Sequence, residues 1–264
     1  MLKINSITKT FNKNTVNEKV AVRELSLTLK DGDFVTVIGG NGAGKSTLLN
    51  SIAGVYPVDQ GQISIDGTDV GRLPEYKRAK FIGRVFQDPM MGTAACMGIE
   101  ENLALALRRG QRRGLAWGIK KVEREEYRDL LSTLGLGLED RMTSKVGLLS
   151  GGQRQALTLL MATLKKPKLL LLDEHTAALD PKTAEKVLQL TDTIIERDKL
   201  TTLMITHNMK DAIAHGNRLI MMYDGRIVVD LAGQEKEKLT VEELLKMFSL
   251  ASGSDEADDK LLLS

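Results

Sequence analysis

The sequence has little cysteine, no long apolar run and almost no net charge. Cys96 is the single cysteine in 264 residues, which excludes an internal disulfide framework and a Cys-rich zinc site and fits a reducing compartment. No stretch approaches the roughly 18 consecutive apolar residues of a membrane-spanning helix, and the first residues lack the apolar region of a secretory signal. With 37 Lys and Arg against 35 Asp and Glu, charge gives no reason to expect nucleic-acid binding. If the protein serves a membrane, we expect a subunit that attaches to another chain.

The pattern of apolar residues predicts an α/β domain. Hydrophobic residues make up 42% and charged residues 27% of the chain, which is ordinary globular usage. Strand-like and helix-like segments alternate, as they do around a parallel sheet. We predict buried strands at residues 34–38, 169–172, 202–206 and 218–223.

Three predicted helices have recognisable ends. The first begins at Ser46 and stops at Gly54, a residue suited to a helix C-terminus. Asp180 and Pro181 form an N-cap and first-turn pair that starts the second helix. A capping box at residues 240–243 starts the third. These helices alternate with the strands, which supports the α/β prediction.

Residues 39–46, GGNGAGKS, match the motif G-x-x-x-x-G-K-[ST] between a predicted strand and a predicted helix. Glycines let the backbone wrap a phosphate with its N–H groups pointing inward, and the helix N-terminus adds a positive end. We expect Lys45 to reach the β- and γ-phosphates, Ser46 to ligate Mg²⁺ and Thr47 to contact a phosphate. A plain glycine-rich turn is the alternative, but the strand–loop–helix context favours a nucleotide. The expected contacts are Gly39, Asn41, Gly42, Ala43, Gly44, Lys45, Ser46 and Thr47.

The apolar strand at residues 169–172 delivers Asp173 and Glu174 at its C-terminal end. In an open parallel sheet this edge is where ligands bind. Asp173 is expected to hold Mg²⁺ through water, and Glu174 to act as general base on the attacking water. Alone, the two acids could be a charged strand end in solvent. Beside a phosphate loop, the catalytic interpretation is favoured.

The segment 149–153, LSGGQ, directly precedes a predicted helix. The N–H groups of Ser150 and Gly151 would form a second anion-binding helix end. One nucleotide has no need of two such ends that lie about a hundred residues apart. A consistent solution is two copies arranged head to tail, with the LSGGQ segment of each facing the γ-phosphate held by the other.

With these motifs together, the chain resembles the ATPase subunit of an ABC transporter over residues 1–248. The resemblance implies a P-loop NTPase (RecA-like) α/β fold, in which a parallel-sheet core has an antiparallel β edge and an inserted helical subdomain. The implied boundaries are an ATPase domain at 1–250 (core at about 1–89 and 165–235, helical subdomain at about 90–164, C-terminal helix at about 240–249) and an acidic tail at 251–264.

The same resemblance assigns roles to further positions. Phe11 would stack on adenine, Gln87 would sense Mg²⁺ and the attacking water, and His207 would contact the γ-phosphate. Asp180 would lie at the seam between the copies. Structural alternatives are a core position for Phe11 and a helix N-cap for Asp180. The implied catalytic set is Glu174, His207 and Gln87, the metal set is Ser46, Gln87 and Asp173, and the contacts from the partner copy are Ser150, Gly151, Gly152, Gln153 and Asp180.

Two residues depart from the family pattern. His175 stands where the family usually has Pro, and it could tune the pKa of Glu174 or, as we favour, be a harmless substitution. Met161 stands where Arg is common, which puts a customary ion pair in doubt. The segment 173–180 resembles that of import ATPases which accompany binding proteins for aromatic amino acids such as tryptophan or tyrosine.

Three other features of the segment around residue 100 are interpreted as structural rather than functional. The basic run 108–113, RRGQRR, could meet anionic lipid headgroups, but a solvated helix end is favoured. Cys96 and Trp117 are expected to pack in or beside the helical insertion.

The resemblance also implies partners and a location. ATP and Mg²⁺ are the expected cofactors, and a second copy completes each site. Separate transmembrane permease subunits would dock in a groove beside Gln87 that is lined by residues 90–107. A solute-binding protein would act indirectly, and no nucleic acid is expected. The subunit would lie at the cytoplasmic face of the cell membrane.

An exporter ATPase and a non-transport scaffold ATPase of the iron–sulfur assembly type are the alternative functions. Chromosome and repair ATPases of this fold need a long coiled-coil insertion, for which the chain has no room between the phosphate loop and LSGGQ. Translation factors carry two cassettes, and only one is present. A binding module without turnover would lack Glu174, and a simple kinase would have no use for LSGGQ.

Overall fold

The computed structural model describes residues 1–111 and 118–252. Its strands are β1 (Leu2–Phe11), β2 (Lys19–Leu29), β3 (Phe34–Ile38), β4 (Gln60–Ile65), β5 (Thr68–Asp69), β6 (Ile82–Val85), β7 (Leu169–Asp173), β8 (Thr202–Ile205), β9 (Arg218–Tyr223) and β10 (Arg226–Ala232). Its helices are α1 (Lys45–Ala53), α2 (Glu75–Arg78), α3 (Ile99–Leu107), α4 (Lys121–Ser132), α5 (Gly151–Thr163), α6 (Pro181–Asp198), α7 (Met209–Ala214), α8 (Gln234–Glu237) and α9 (Val241–Ser252). Within these ranges, no helix is long and apolar enough to cross a bilayer.

A six-stranded sheet with the order β10-β9-β3-β8-β7-β6 forms the centre of the molecule. β3 pairs in parallel with β8 and β9, and β7 pairs in parallel with β6 and β8, whereas β10 lies antiparallel to β9. The carboxyl ends of β3, β7 and β8 therefore share one edge of the sheet. The segments that follow residues 38, 173 and 205 meet at this edge, where ligands bind in sheets of this kind.

The central sheet has a hydrophobic core on each face. Leu169 and Leu171 of β7 pack with α1 and the N-terminal strands, whereas Leu170 and Leu172 pack with α5 and α6. Successive side chains of a strand point to opposite faces, so a strand covered on both sides is apolar at every position. This explains the uninterrupted leucines of β7.

The strands β1, β2, β4 and β5 form a separate sheet with the order β2-β1-β4-β5, in which all pairs are antiparallel. Leu2 and Ile4 of β1 are buried in the same core as Leu48 and Leu49 of α1. The expected antiparallel edge therefore has two parts. β10 borders the central sheet, and the second sheet covers the other side of α1.

Between β6 and β7, the described residues form helices and no further strand. α3, α4 and α5 surround a core of their own that includes Leu103, Leu131 and Leu157. Met161, at the position where the family commonly has Arg, packs against this core. Leu159, on the same helix, faces the central sheet instead. α5 thus contributes side chains to both cores. The boundaries expected for the ATPase core and the helical subdomain stay a prediction.

Most local predictions are confirmed. β3 and β9 have the predicted bounds, β7 is one residue longer and β8 one residue shorter. Gly54 ends α1 in the left-handed conformation, and Asp180 caps α6 by accepting the N–H of Thr183. At the start of α9, the Thr240 hydroxyl accepts the N–H of Glu243, and the Glu243 carboxylate accepts the N–H of Thr240, which is the predicted capping box.

Other local predictions are wrong. Cys96 is exposed rather than packed. Arg108 and Arg109 do not form a solvated helix end, because Arg108 pairs with Glu123 at 2.8 Å and Arg109 donates to the carbonyl of Ala162 at 3.3 Å. Residues 251 and 252, expected to begin the tail, are helical. Outside the described residues lie Arg112, Arg113, Trp117 and the remaining tail, 253–264.

Candidate active site

The phosphate loop joins β3 to α1 and requires glycine for two physical reasons. Gly39 and Gly44 have φ angles of +148° and +101°, which other residues rarely adopt. A Cβ atom on Gly39 would lie 2.2 Å from the carbonyl oxygen of Met222, and one on Gly44 would lie 2.3 Å from that of Ala21. Gly44 also provides no side-chain cap to α1. The first amides of the helix are therefore left available for an anion.

Lys45 lies across the loop that precedes it. Its side chain is 5% exposed, and Nζ donates to the carbonyl oxygens of Gly39 at 2.6 Å and Gly40 at 3.1 Å. Burial lowers the pKa of Lys45 because it removes water from the ammonium group, while the carboxylates of Glu174 and Asp173 act in the opposite direction. The loop thus holds a cation over the space where a phosphate would bind.

A surface cavity brings most of the predicted nucleotide contacts together. Its walls come from the ends of β1 and β2, the phosphate loop, and the segments after β7 and β8. It is lined by Phe11, Lys19, Ala21, Asn41, Gly42, Ala43, Gly44, Lys45, Ser46, Thr47, Glu174 and His207. Lys19 and Ala21 were not predicted, and no pattern in β2 marks them. They reach the cavity because the second sheet packs beside α1.

Phe11 ends β1 at the rim of this cavity. Its ring makes an edge-to-face contact with Tyr56, with centroids 5.2 Å apart, and the ammonium of Lys9 lies 5.4 Å from the ring centre. Phe11 is only partly buried, so the structural alternative of a plain core position does not describe it. An aromatic ring braced in this way can offer a face to a planar base.

Glu174 and His207 contact each other directly. Their strands, β7 and β8, are neighbours, and Glu174 Oε1 lies 2.5 Å from His207 Nε2. Their side chains are 11% and 25% exposed, so each retains access to the cavity. Glu174 has a φ angle of +46°, an uncommon conformation for a residue with a side chain.

Asp173, the last residue of β7, forms an ion pair with Arg84. Arg84 Nη2 is 3.3 Å from Asp173 Oδ2 and 2.8 Å from Asn50 Oδ1, and its guanidinium lies 4.4 Å from the Phe86 ring centre. Burial raises the pKa of Asp173, and the charge of Arg84 opposes this rise. Arg84 was not predicted. The signal for it was a charged residue within the short apolar strand β6.

The oxygen donors at this edge suit Mg²⁺. Ser46 lies in the cavity wall, and Asp173 ends β7 at the same edge of the central sheet. Within residues 1–111 and 118–252, no cluster of three or more His, Cys, Asp or Glu side chains forms a metal cage. Mg²⁺ is usually held by one or two protein groups together with substrate phosphates and water. The residues present therefore fit a metal that arrives with a nucleotide.

Other predicted site residues do not line the cavity. Gln87 is exposed just after β6. Ser150 caps α5, where its hydroxyl accepts the N–H of Gln153 at 3.3 Å. Asp180 is exposed, and its hydrogen bonds with Thr183 lower its pKa. None of these side chains contributes to the cavity lining.

The LSGGQ segment packs against the start of α6 within the same chain. A Cβ atom on Gly152 would lie 2.2 Å from Cγ2 of Thr183, and one on Gly151 would lie 3.2 Å from Cδ2 of Leu179. Arg154 holds the preceding turn, because its guanidinium donates to the carbonyl oxygens of Val146 and Leu149. The segment is therefore built as a helix start that faces outward from its own molecule.

His175 does not place a second charge beside Glu174. It is 2% exposed, and its Nε2 is 3.1 Å from the Thr191 hydroxyl on α6. Burial lowers the pKa of His175 to about 4, with His215 and Asp192 as the nearby charged groups. A neutral imidazole with these neighbours is not a tuning group for the pKa of Glu174.

Sequence comparison agrees with this geometry. The family model described as ABC transporter matches residues 22–177. A tyrosine transport ATP-binding protein of Clostridioides difficile (strain R20291) is 47% identical over 254 residues, which are 95% of this chain and 100% of that protein. The chain belongs to the ABC transporter family. As an ABC transporter ATPase, the chain binds and hydrolyses ATP.

Further members of the family support the same assignment. The spermidine/putrescine import ATP-binding protein PotA of Haemophilus influenzae is 33% identical over 89% of this chain, which spans 59% of PotA. The dimeric post-hydrolysis state of the ATP-binding cassette MJ0796, bound to ADP and Pi, has a TM-score of 0.75 and 30% identity over 88% of this chain and 98% of its own. Similarity to proteins named for import indicates an ABC transporter ATPase of the importer type.

Proposed function

We propose that this ABC transporter ATPase binds two ATP molecules head to tail between two identical copies and drives the import of an aromatic amino acid. The observation that supports the paired site is the separation of the phosphate-loop cavity from the LSGGQ helix start. The full-length similarity to a tyrosine transport ATP-binding protein supports the substrate class. Import proteins for spermidine and putrescine or for methionine are more distant relatives, at 32–34% identity.

The paired arrangement follows from where anion-binding groups lie. The phosphate loop, Lys45 and His207 line one cavity, which leaves its outer side open. Ser150 and Gly151 are exposed at the start of α5, and they do not line that cavity. A second copy, placed head to tail, would bring its helix start to the γ-phosphate. The dimeric MJ0796 cassettes, with a similar chain fold, support this arrangement.

In the proposed mechanism, the chain holds ATP from three sides. Phe11 stacks on the adenine ring, the loop amides and Lys45 bind the phosphates, and the Ser150 segment of the partner copy closes over the γ-phosphate. Ser46 and Asp173 would hold Mg²⁺, with Gln87 approaching it on closure. When bound, Mg²⁺ offsets the negative charge of the phosphate oxygens.

Hydrolysis then requires a base and a polar contact to the γ-phosphate. A water oxygen forms a bond to the γ-phosphorus, the bond from that phosphorus to the bridging oxygen of ADP breaks, and Glu174 accepts the water's proton. His207, which contacts Glu174 in this structure, exchanges that contact for the γ-phosphate. Loss of the γ-phosphate removes the group that joins the two copies, so they separate.

The transport partners would be separate transmembrane permease subunits at the cytoplasmic face of the cell membrane. They would dock in the groove beside Gln87 that residues 90–107 border. Met90 and Met91, at the start of this segment, are 45% and 70% exposed, and flexible Met side chains suit such contacts. A solute-binding protein would deliver the amino acid, and no nucleic acid takes part.

Uptake by cells that lack the gene tests the substrate. Cells complemented with the wild-type protein should take up labelled tyrosine or tryptophan, whereas cells complemented with Lys45→Ala should not. Labelled spermidine and methionine should enter equally in both strains. Equal uptake of aromatic amino acids in both strains would refute the proposed substrate, and a selective loss of spermidine or methionine uptake would replace it.

A further inference from the structure

His175 follows the proposed base directly and is anchored to another element. Its imidazole is 2% exposed, and Nε2 lies 3.1 Å from the hydroxyl oxygen of Thr191. Thr191 is in the middle of α6 and is fully buried. A buried polar group keeps its position only when its hydrogen bond is made. This contact is therefore a specific link between the turn after β7 and the middle of α6.

The direction of this hydrogen bond can be assigned. The Thr191 hydroxyl has one proton, which it donates to the carbonyl oxygen of Val187 at 2.7 Å. It must therefore accept from His175, whose Nε2 carries the proton. The next residue of α6, Asp192, has its carboxylate 2.7 Å from Nδ1 of His215, which follows α7.

Glu174, the residue directly before His175, has an uncommon backbone conformation. Glu174 has a φ angle of +46°, and such residues persist where the surroundings fix them. Two backbone hydrogen bonds help: the N–H of Glu174 donates to the carbonyl of Ile205 at 3.1 Å, and the N–H of Ala177 donates to that of Glu174 at 3.0 Å. The second bond orients the peptide after Glu174, because its acceptor is the carbonyl of that peptide. The buried side chain of His175 anchors the residue at the other end of the same peptide.

We propose that His175 is a positioning residue, which holds the Glu174 carboxylate in its productive place through the hydrogen bond to Thr191. This inference rests on the proposed role of Glu174 as base. It also gives α6 a mechanical role, because the helix that Asp180 caps, at the proposed seam between copies, carries Thr191, the anchor for the base.

Substitutions at Thr191 test the link without touching the cavity. Thr191→Val keeps the shape of the side chain but removes the hydroxyl, and Thr191→Ser keeps the hydroxyl. Thr193→Val is the matched control, since Thr193 is an exposed residue on α6 whose hydroxyl also donates to a carbonyl four residues earlier, that of Gln189. Steady-state kcat and KM for ATP, normalised to the number of ATP-binding sites, separate misplacement of the base from loss of folded protein.

We expect Thr191→Val to lower kcat by about tenfold or more, because small misplacements of a reacting group cost rate steeply. KM for ATP should stay within about twofold, and Thr191→Ser and Thr193→Val should match the wild type in both constants. A Thr191→Val protein with wild-type kcat would overturn the inference. A loss of kcat that Thr193→Val shares equally would overturn it too, since it would mark a general effect on α6.

A second pair keeps the test decisive if Thr191→Val does not fold. His175→Gln retains an N–H donor and should retain most of the turnover, whereas His175→Leu should lose it while still binding ATP. Equal turnover in these two variants would contradict the inference. The Glu174→Gln protein separates this test from that of the proposed function. If it turns over ATP normally, the proposed base is wrong; if it is inactive while Thr191→Val and His175→Leu are normal, only the anchor is wrong.

Discussion

Replacing Glu174 with glutamine removes the proposed base and leaves its surroundings nearly intact. Glu174 Oε1 lies 2.5 Å from His207 Nε2, and the amide oxygen of glutamine can accept the same hydrogen bond. A hydrogen bond to a charged group stabilises a protein by about 1.5–3 kcal/mol and a neutral one by about 1 kcal/mol. The free energy of unfolding should therefore fall by only about 1 kcal/mol.

The effect on turnover should be much larger than the effect on stability. Glutamine cannot accept the proton of the attacking water, and loss of general-base catalysis lowers a rate by about 10²–10⁴-fold, or about 3–5 kcal/mol in the barrier. ATP affinity should change little, because Lys45 and the loop amides remain. Uncleaved ATP keeps its γ-phosphate between the copies, so dimers should accumulate.

Three measurements on one preparation check this prediction. They are phosphate release with saturating ATP, equilibrium binding of ATP, and sedimentation with and without ATP. Glu185→Gln is the matched control, because Glu185 is exposed on α6 and should behave as the wild type in all three. A Glu174→Gln protein that releases phosphate within about tenfold of the wild-type rate would refute the assignment of the base.

Three further predictions follow from the same geometry. Ser150→Arg should leave ATP binding to the monomer unchanged and abolish dimer-dependent hydrolysis, since a long cation would occupy the seam; a fully active variant would refute the paired site. The ammonium of Lys19 lies beside Gly42 of the phosphate loop, so Lys19→Gln should remove one phosphate contact and weaken ATP binding about three- to tenfold. Lys30→Gln is the control, because Lys30 is exposed outside the cavity and its replacement should leave ATP binding unchanged. Burial lowers the pKa of Lys236 to about 8 from its usual 10.5, so the unfolded chain binds more protons between these pH values and stability rises with pH there. The free energy of unfolding, measured with urea at pH 8 and pH 10, should therefore rise less in Lys236→Met than in the wild type. An equal rise in both proteins would contradict this prediction.

The sequence has two anion-binding helix ends, one more than a single nucleotide needs. From this it could be inferred that LSGGQ and the phosphate loop of one chain serve different nucleotides. What could not be inferred is why the segment faces outward. Gly152 lies against Thr183, and Gly151 lies beside Leu179, so the start of α5 is fixed on the start of α6. These contacts join residues far apart in the chain, and no local pattern encodes them.

Charged and polar partners were the least predictable part of the site. Arg84 pairs with Asp173 because β6 and β7 are neighbours in the sheet, and strand order is not written in either strand. Lys19 reaches the cavity because the antiparallel sheet packs beside α1. The sequence also left the partner of His175 unknown, so this residue was expected to be a harmless substitution or to tune the pKa of Glu174. Its partner is Thr191, 16 residues later on a helix.

Local chemistry alone predicted where the phosphates of a nucleotide would bind and which side chains could act on them. Loop glycines, a helix N-terminus and acids after an apolar strand act through backbone geometry and residue type, and both can be seen in short stretches of chain. Tertiary structure decided which of these groups meet. Packing of strands and helices placed Glu174 against His207, Arg84 against Asp173 and His175 against Thr191, since burial and hydrogen bonding between distant residues depend on how the whole chain folds.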